Sequence, residues 1–206
     1  MICKGCDEMQ KVLNKLQQEY GFSDYQIKLL RFSFTGILYD VSKTLIFIVY
    51  FTAVGKLPEF LAALVPLILL RTKSGGIHFR KYWTCFFFSF LYLCLVIHVL
   101  PGAVALHPLA VYPVLLVCAV ADYLVGPNTL KAKVIAQDAL LRDAQKSRIQ
   151  KAKMECFQVV LIVAVLLFLF PDNRYLIVSF WTVVVHAVQL VITKIMREVK
   201  FHEELA

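Results

Sequence analysis

Six apolar segments follow one another along the chain, at about 32–55, 57–70, 85–100, 109–127, 156–171 and 175–193, and most of the charge is confined to the stretches between them. Thr84 to Ala121 runs for 38 residues without Asp, Glu, Lys or Arg, and Tyr175 to Thr193 runs for 19. A hydrocarbon layer about 30 Å thick takes roughly 20 helical residues. The longer run therefore holds two spans, divided at Pro101-Gly102 with His107-Pro108 closing an uncharged turn, and the shorter run holds one. The pattern predicts an all-α, polytopic transmembrane helical protein of about six membrane segments, in one domain over 1–206. An even number of spans puts both termini on one side.

Three stretches depart from simple spans. Leu57 to Leu70 would make only about 21 Å of helix at 1.5 Å per residue, so it is expected to tilt into a protein interior, to be re-entrant, or to sit in thinned bilayer. Met1 to Gly21 places Met9, Val12, Leu13, Leu16 and Tyr20 on one helical face, with Lys4, Lys11, Lys15 and Glu19 largely off it. This predicts an interfacial helix within an amphipathic N-terminal region, 1–31. The stretch 128–155 is basic and helix-prone, and a helix at or near the cytoplasmic surface is expected there.

Composition agrees with lipid as the main solvent. The 206 residues are 60% hydrophobic and 17% charged, against roughly 45–50% and about 25% in soluble domains, and a chain this short cannot hide the excess in one core. No cleavable signal is expected, because the first twenty residues carry charge throughout and lack an apolar core. The net charge of +8 is distributed by topology. Arg71, Lys73, Arg80 and Lys81 lie in one loop, and Lys131, Lys133, Arg142, Lys146, Arg148, Lys151 and Lys153 in another, whereas the alternate turns at 56–59, 101–108 and 172–174 are nearly bare. The positive-inside rule then places both termini in the cytoplasm of a multi-pass cell-membrane protein. The charge reads as topology and lipid-headgroup contact, and no nucleic-acid partner is expected.

Candidate chemistry concentrates between the second and third segments, in Arg71-Thr-Lys-Ser-Gly-Gly-Ile-His-Phe-Arg-Lys-Tyr-Trp-Thr-Cys85. On a straight helix His78 and Cys85 would share a face but stand about 10 Å apart, too far for the ~3 Å of proton transfer. Contact requires His78 in a loop folding back over the third segment, and Gly75-Gly76 supply the backbone freedom. Cys85 would then lie in the first helical turn, with Thr84 as N-cap. A helix N-terminus and nearby Arg80 and Lys81 favour thiolate, with His78 as base or imidazolium partner. By composition alone, a purely structural loop remains the alternative.

The order Arg, Ser-Gly-Gly-x-His, six residues and Cys at the head of an apolar run resembles the accessory gene regulator B (AgrB) family of bacterial membrane peptidases. Leu38-Tyr39-Asp40, and Gly126-Pro127-Asn128 with Lys131 and Lys133, resemble further family segments, with Asp40 where Glu is commoner and Val134 where Pro often stands. The resemblance implies a cysteine endopeptidase that needs no cofactor or metal. Cys85 would be the nucleophile and His78 its partner in a catalytic loop over 71–84. Arg71, Gly75 and Gly76 would support the site, and Arg71, Lys73, Arg80 and Lys81 are first candidates to hold an acidic propeptide tail, with topology and lipid contact as the alternative reading of the same charges. Cleavage of an AgrD-like propeptide through a thioester, with closure to a thiolactone or lactone autoinducing peptide for quorum sensing, is the implied function. A homodimer fits both the resemblance and the short early segments.

Other ionisable and sulfur groups have simpler readings. Cys3-x-x-Cys6 has no second cysteine pair to complete a metal site. Cys94, Cys118 and Cys156 read as packing residues, and His98, His107 and His186 as satisfied single histidines. Asp40 could orient His78, but a pair with Lys43 three residues on is preferred, while Asp122 near the inner end of the fourth segment is an intramembrane ionisable group and so a functional candidate. The competing class is a non-enzymatic membrane transport or assembly subunit. The topology has its own test: a reporter that fluoresces only in the cytoplasm should be bright when fused after Ala206 and dark when inserted within 101–108, and the opposite pattern would overturn the orientation.

Overall fold

The structure, a computed structural model, describes residues 24–74, 82–103, 108–125 and 139–203, all within or bordering helices, with no strand among the described residues. The helices are α1 (Asp24–Ala53), α2 (Leu57–Ser74), α3 (Tyr82–Cys94), a π-helical turn (Leu95–Val99), α4 (Leu100–Ala103), α5 (Pro108–Val125), α6 (Ala139–Leu169) and α7 (Arg174–Glu203). The chain divides into two units, Met1–Tyr50 and Phe51–Ala206. Four stretches are long and apolar enough to cross a membrane: Phe34–Ala53, Tyr82–Gly102, Ile149–Leu169 and Arg174–Met196. The expected second and fourth segments are helical but do not join that set. α2 carries Glu59, Arg71 and Lys73, and Ala110–Val125 is shorter.

In the first unit, Asp40 and Lys43 form the expected pair, with Nζ 2.7 Å from Oδ1. Opposite charges one turn apart neutralise each other within an apolar helix. The expected interfacial helix of the N-terminal region lies outside the described residues.

The second unit is organised around α7, which packs against α2, α5, α6, the π-turn and α4. Of the Arg174–Met196 stretch 56% is buried, against 28% of Tyr82–Gly102 and of Ile149–Leu169, so α7 is the axis and the others present one side outward. Trp83, Phe87, Leu91, Leu116, Leu124 and Phe168 are exposed, the condition expected of lipid-facing surface.

Local chemistry sets the helix ends. α1 stops at a left-handed glycine, Gly55 (φ 69°), where Gly55 N–H donates to Thr52 O (3.0 Å) and Lys56 N–H to Phe51 O (2.7 Å), the paired bonds of a Schellman motif. Asn173 caps α7, its Oδ1 accepting from the N–H groups of Tyr175 (2.9 Å) and Leu176 (3.4 Å). Pro101 does not divide the long run at its own position. The helix continues through it to Ala103, and the preceding turn widens so that Leu100 N–H reaches Leu95 O, which accommodates a residue that cannot donate to Ile97 and would crowd its carbonyl.

α2 is longer than the apolar run implied. It has 18 residues, to Ser74, or about 27 Å, because Arg71, Thr72 and Lys73 continue the helix past the apolar core. It runs parallel to α7. Glu59 at its start meets Arg174 at 3.1 Å, as well as Lys56 at 3.1 Å; Ala62 meets Ser179 further along, and Ser74 at its end meets His186. Pro66 lies inside α2 and cannot donate to the carbonyl of Ala62. The hydroxyl of Ser179 donates to that carbonyl instead, at 2.8 Å, so a backbone oxygen freed by proline is satisfied from the neighbouring helix.

The stretch 128–155 also differs from expectation. From Ala139 it is not a separate surface helix but the beginning of α6, which continues unbroken to Leu169, about 46 Å in all. Ala, Gln, Lys and Arg propagate the helix with no Gly or Pro to end it.

The Pro66–Ser179 relation is testable by a double-mutant cycle. Ser179→Ala should destabilise the detergent-solubilised protein by about 1 kcal/mol. Its cost should shrink when Pro66→Ala restores the missing N–H, whereas an equal cost in both backgrounds would contradict the assignment.

Candidate active site

The two described ends of the expected catalytic loop are the last turn of α2 and the first turn of α3. Cys85 is the fourth residue of α3, in its first turn as expected, and is buried and outside any disulfide. The first-turn amides of a helix have no intrahelical acceptors and carry partial positive charge. Thr84 is not the cap: it lies inside the helix, which starts at Tyr82. Gly75, Gly76, His78, Arg80 and Lys81 lie outside the described residues, as do Gly126, Pro127, Asn128, Lys131 and Lys133.

Around Cys85, α3 bears an aromatic ladder. Tyr82 stacks on Phe86 (centroids 6.3 Å apart) and Phe86 on Phe90 (6.4 Å), with Trp83 edge-on to Phe86 (6.0 Å). Residues three and four apart share a helix face, so these rings stiffen the helix that carries the thiol. Further along, Tyr92 donates its hydroxyl to the Thr182 carbonyl of α7 at 2.9 Å, tying α3 to the central helix.

On the α2 side, the basic residues have definite neighbours. Lys73 forms an ion pair with Glu155 of α6 (2.5 Å), so its ammonium is engaged within the protein. Arg71 is half-buried and lies close enough to Tyr92 and His186 to interact with them electrostatically. Asp40 is engaged by Lys43, the preferred alternative to a place beside His78.

The sequence reading missed the polar face of α7. Ser179, Thr182, His186, Gln189 and Thr193 are all buried, and their spacing of three and four residues puts them in one stripe. That spacing was legible in the sequence, although each residue alone reads as incidental. His186 is an interior histidine, but only half satisfied: Nε2 is 2.7 Å from Ser74 Oγ, and Nδ1 has no partner among the described residues. Both carboxylate oxygens of buried Asp122 are likewise without a hydrogen-bond partner among the described residues. Cys94 is half-buried, Cys118 and Cys156 are buried, and none of the three is in a disulfide, in keeping with packing roles. His98 stacks on Phe51 at 6.0 Å.

The model of the family described as accessory gene regulator B matches residues 9–191. The chain belongs to this family. Membership is consistent with a part in AgrD processing during quorum sensing, and with a peptidase-like membrane protein. No curated protein and no solved structure matches the chain.

The Lys73–Glu155 pair gives a test of whether Lys73 is a structural tie. Lys73→Glu and Glu155→Lys should each lower the melting temperature in detergent, and the double exchange should recover most of the loss. Failure of the double exchange to recover would return Lys73 to the set of residues free to meet a propeptide.

Proposed function

We propose that this AgrB-family protein is a membrane-embedded cysteine endopeptidase that cleaves the C-terminal part of an AgrD-like propeptide and promotes its cyclisation. The observation that carries the reading is the family match over 9–191, which takes in both His78 and Cys85. The first-turn position of Cys85 in α3 supports its role as nucleophile.

In this reading the Cys85 thiolate attacks the scissile carbonyl, and the tetrahedral oxyanion collapses as the amide C–N bond breaks. His78 donates the proton that the departing amine takes. The N-terminal fragment remains on Sγ as a thioester. A thiol or hydroxyl within that fragment then attacks the same carbonyl, His78 accepts its proton, and Cys85 leaves as thiolate, closing a thiolactone or lactone ring. Hydrolysis competes for the acyl-enzyme, so a water-poor site at a membrane boundary favours the ring. The catalytic loop acts on the cytoplasmic side of a multi-pass protein, where the basic residues flanking it attract an acidic propeptide tail, and the active form is a homodimer.

Cys85→Ala and His78→Ala should each reduce propeptide cleavage by at least ~100-fold in protein that is still membrane-inserted and of normal melting temperature. Intact-mass analysis of the native protein mixed with a propeptide whose ring-closing thiol or hydroxyl has been removed should reveal an acyl adduct that maps to Cys85. Full cleavage by Cys85→Ala would sink the peptidase reading and favour a non-enzymatic membrane subunit.

A further inference from the structure

The contact between Ser74 and His186 joins residues 112 positions apart, at 2.7 Å, and both are at most 1% exposed. Ser74 also donates its single proton to Leu70 O at 2.8 Å. Its oxygen is therefore left to accept, and His186 serves as the donor through Nε2–H. The adjacent Lys73 is paired to α6 through Glu155. The last turn of a helix has free carbonyls and frays unless something holds it. Here that turn is held from α6 and α7 at once.

The place of Ser74 in the chain makes this contact more than helix packing. His78 is four residues further along, and at no more than ~3.6 Å per residue its Cα stays within ~14 Å of that of Ser74. Any scatter in the end of α2 passes directly to the start of the segment that bears the histidine. Arg71, one turn before Ser74, lies in electrostatic reach of His186 as well. We infer that Ser74 and His186 form a positioning pair: the buried hydrogen bond fixes the end of α2 on the central helix and so sets where the His78 segment begins relative to Cys85. The inference rests on the peptidase reading for its catalytic consequence, but not for the anchor itself. His186 touches no reacting atom in this scheme; it acts through Ser74.

The test uses the full-length protein in detergent micelles with purified propeptide, comparing Ser74→Ala, His186→Leu, the double variant and His186→Gln, whose amide N–H can replace Nε2–H as donor. Ser74→Ala removes only one oxygen and guards against a misfolded His186→Leu. Ser74→Ala and His186→Leu should each lower kcat by ~10-fold or more, since small misplacements near a reacting centre are costly, with KM changed less than about twofold. The double variant should lose no more than either single change, because both break one bond, and His186→Gln should stay near the native rate. Losses confined to KM, losses that multiply in the double variant, or a Gln variant as poor as Leu would overturn the positioning role. Hydrogen exchange of the amides over 67–74 gives an activity-independent readout. Exchange should accelerate in Ser74→Ala and His186→Leu and return to the native rate in His186→Gln; unchanged exchange in all four overturns the anchor. If the native protein cleaves no propeptide, the peptidase reading fails while this exchange experiment still decides the anchor.

Discussion

A backbone carbonyl inside a hydrocarbon layer has no water to turn to, and the second unit is arranged around that constraint. Pro66 removes a donor from the middle of α2, and the orphaned oxygen of Ala62 is met by Ser179 on the neighbouring helix. Once that bond is required, α7 must present a hydroxyl at a fixed height against α2. The other polar groups of its buried face then fall where α2 and α3 can use them: the Thr182 carbonyl for Tyr92, and His186 for Ser74. Hydrogen bonds of this kind are individually modest in membranes, so the association draws on several of them together with close packing, such as the stack of Phe51 on Phe60 at 5.0 Å.

Much of this was legible from the chain alone, for identifiable reasons. Charge-free runs and basic loops are global signals, which is why the helical class, the membrane setting and the positions of most apolar segments could be read directly. The Asp40–Lys43 pair was legible because a one-turn spacing brings opposite charges together whatever surrounds the helix. The end of α2 was not, because hydropathy stops at Leu70 while the backbone continues to Ser74 through polar residues. The same blindness split α6 into a surface helix and a span, since a change from charged to apolar residues marks a change of solvent, not a break in hydrogen bonding.

The candidate site divides along a similar line. Cys85 in a first helical turn follows from where an apolar run begins. The bond between Ser74 and His186 depends on two helices meeting in register, and no local pattern announces a partner 112 residues away. The stripe 179, 182, 186, 189, 193 marked His186 as part of an inward polar face, but only Pro66 in α2 hinted at which neighbour that face would serve. Lys73 shows the complementary case: a basic residue beside a suspected site invites a substrate role, and the tertiary structure adds a partner, Glu155, that no local pattern announces.

The parallel run of α2 and α7 is clasped at both ends, by Glu59 with Arg174 and by Ser74 with His186. Two fastenings on one pair of rods form a ruler. A slide of α2 by one turn along α7 would part Glu59 from Arg174 and Ser74 from His186 together. The height of α2 is thus measured against another helix, at its start and again at Ser74.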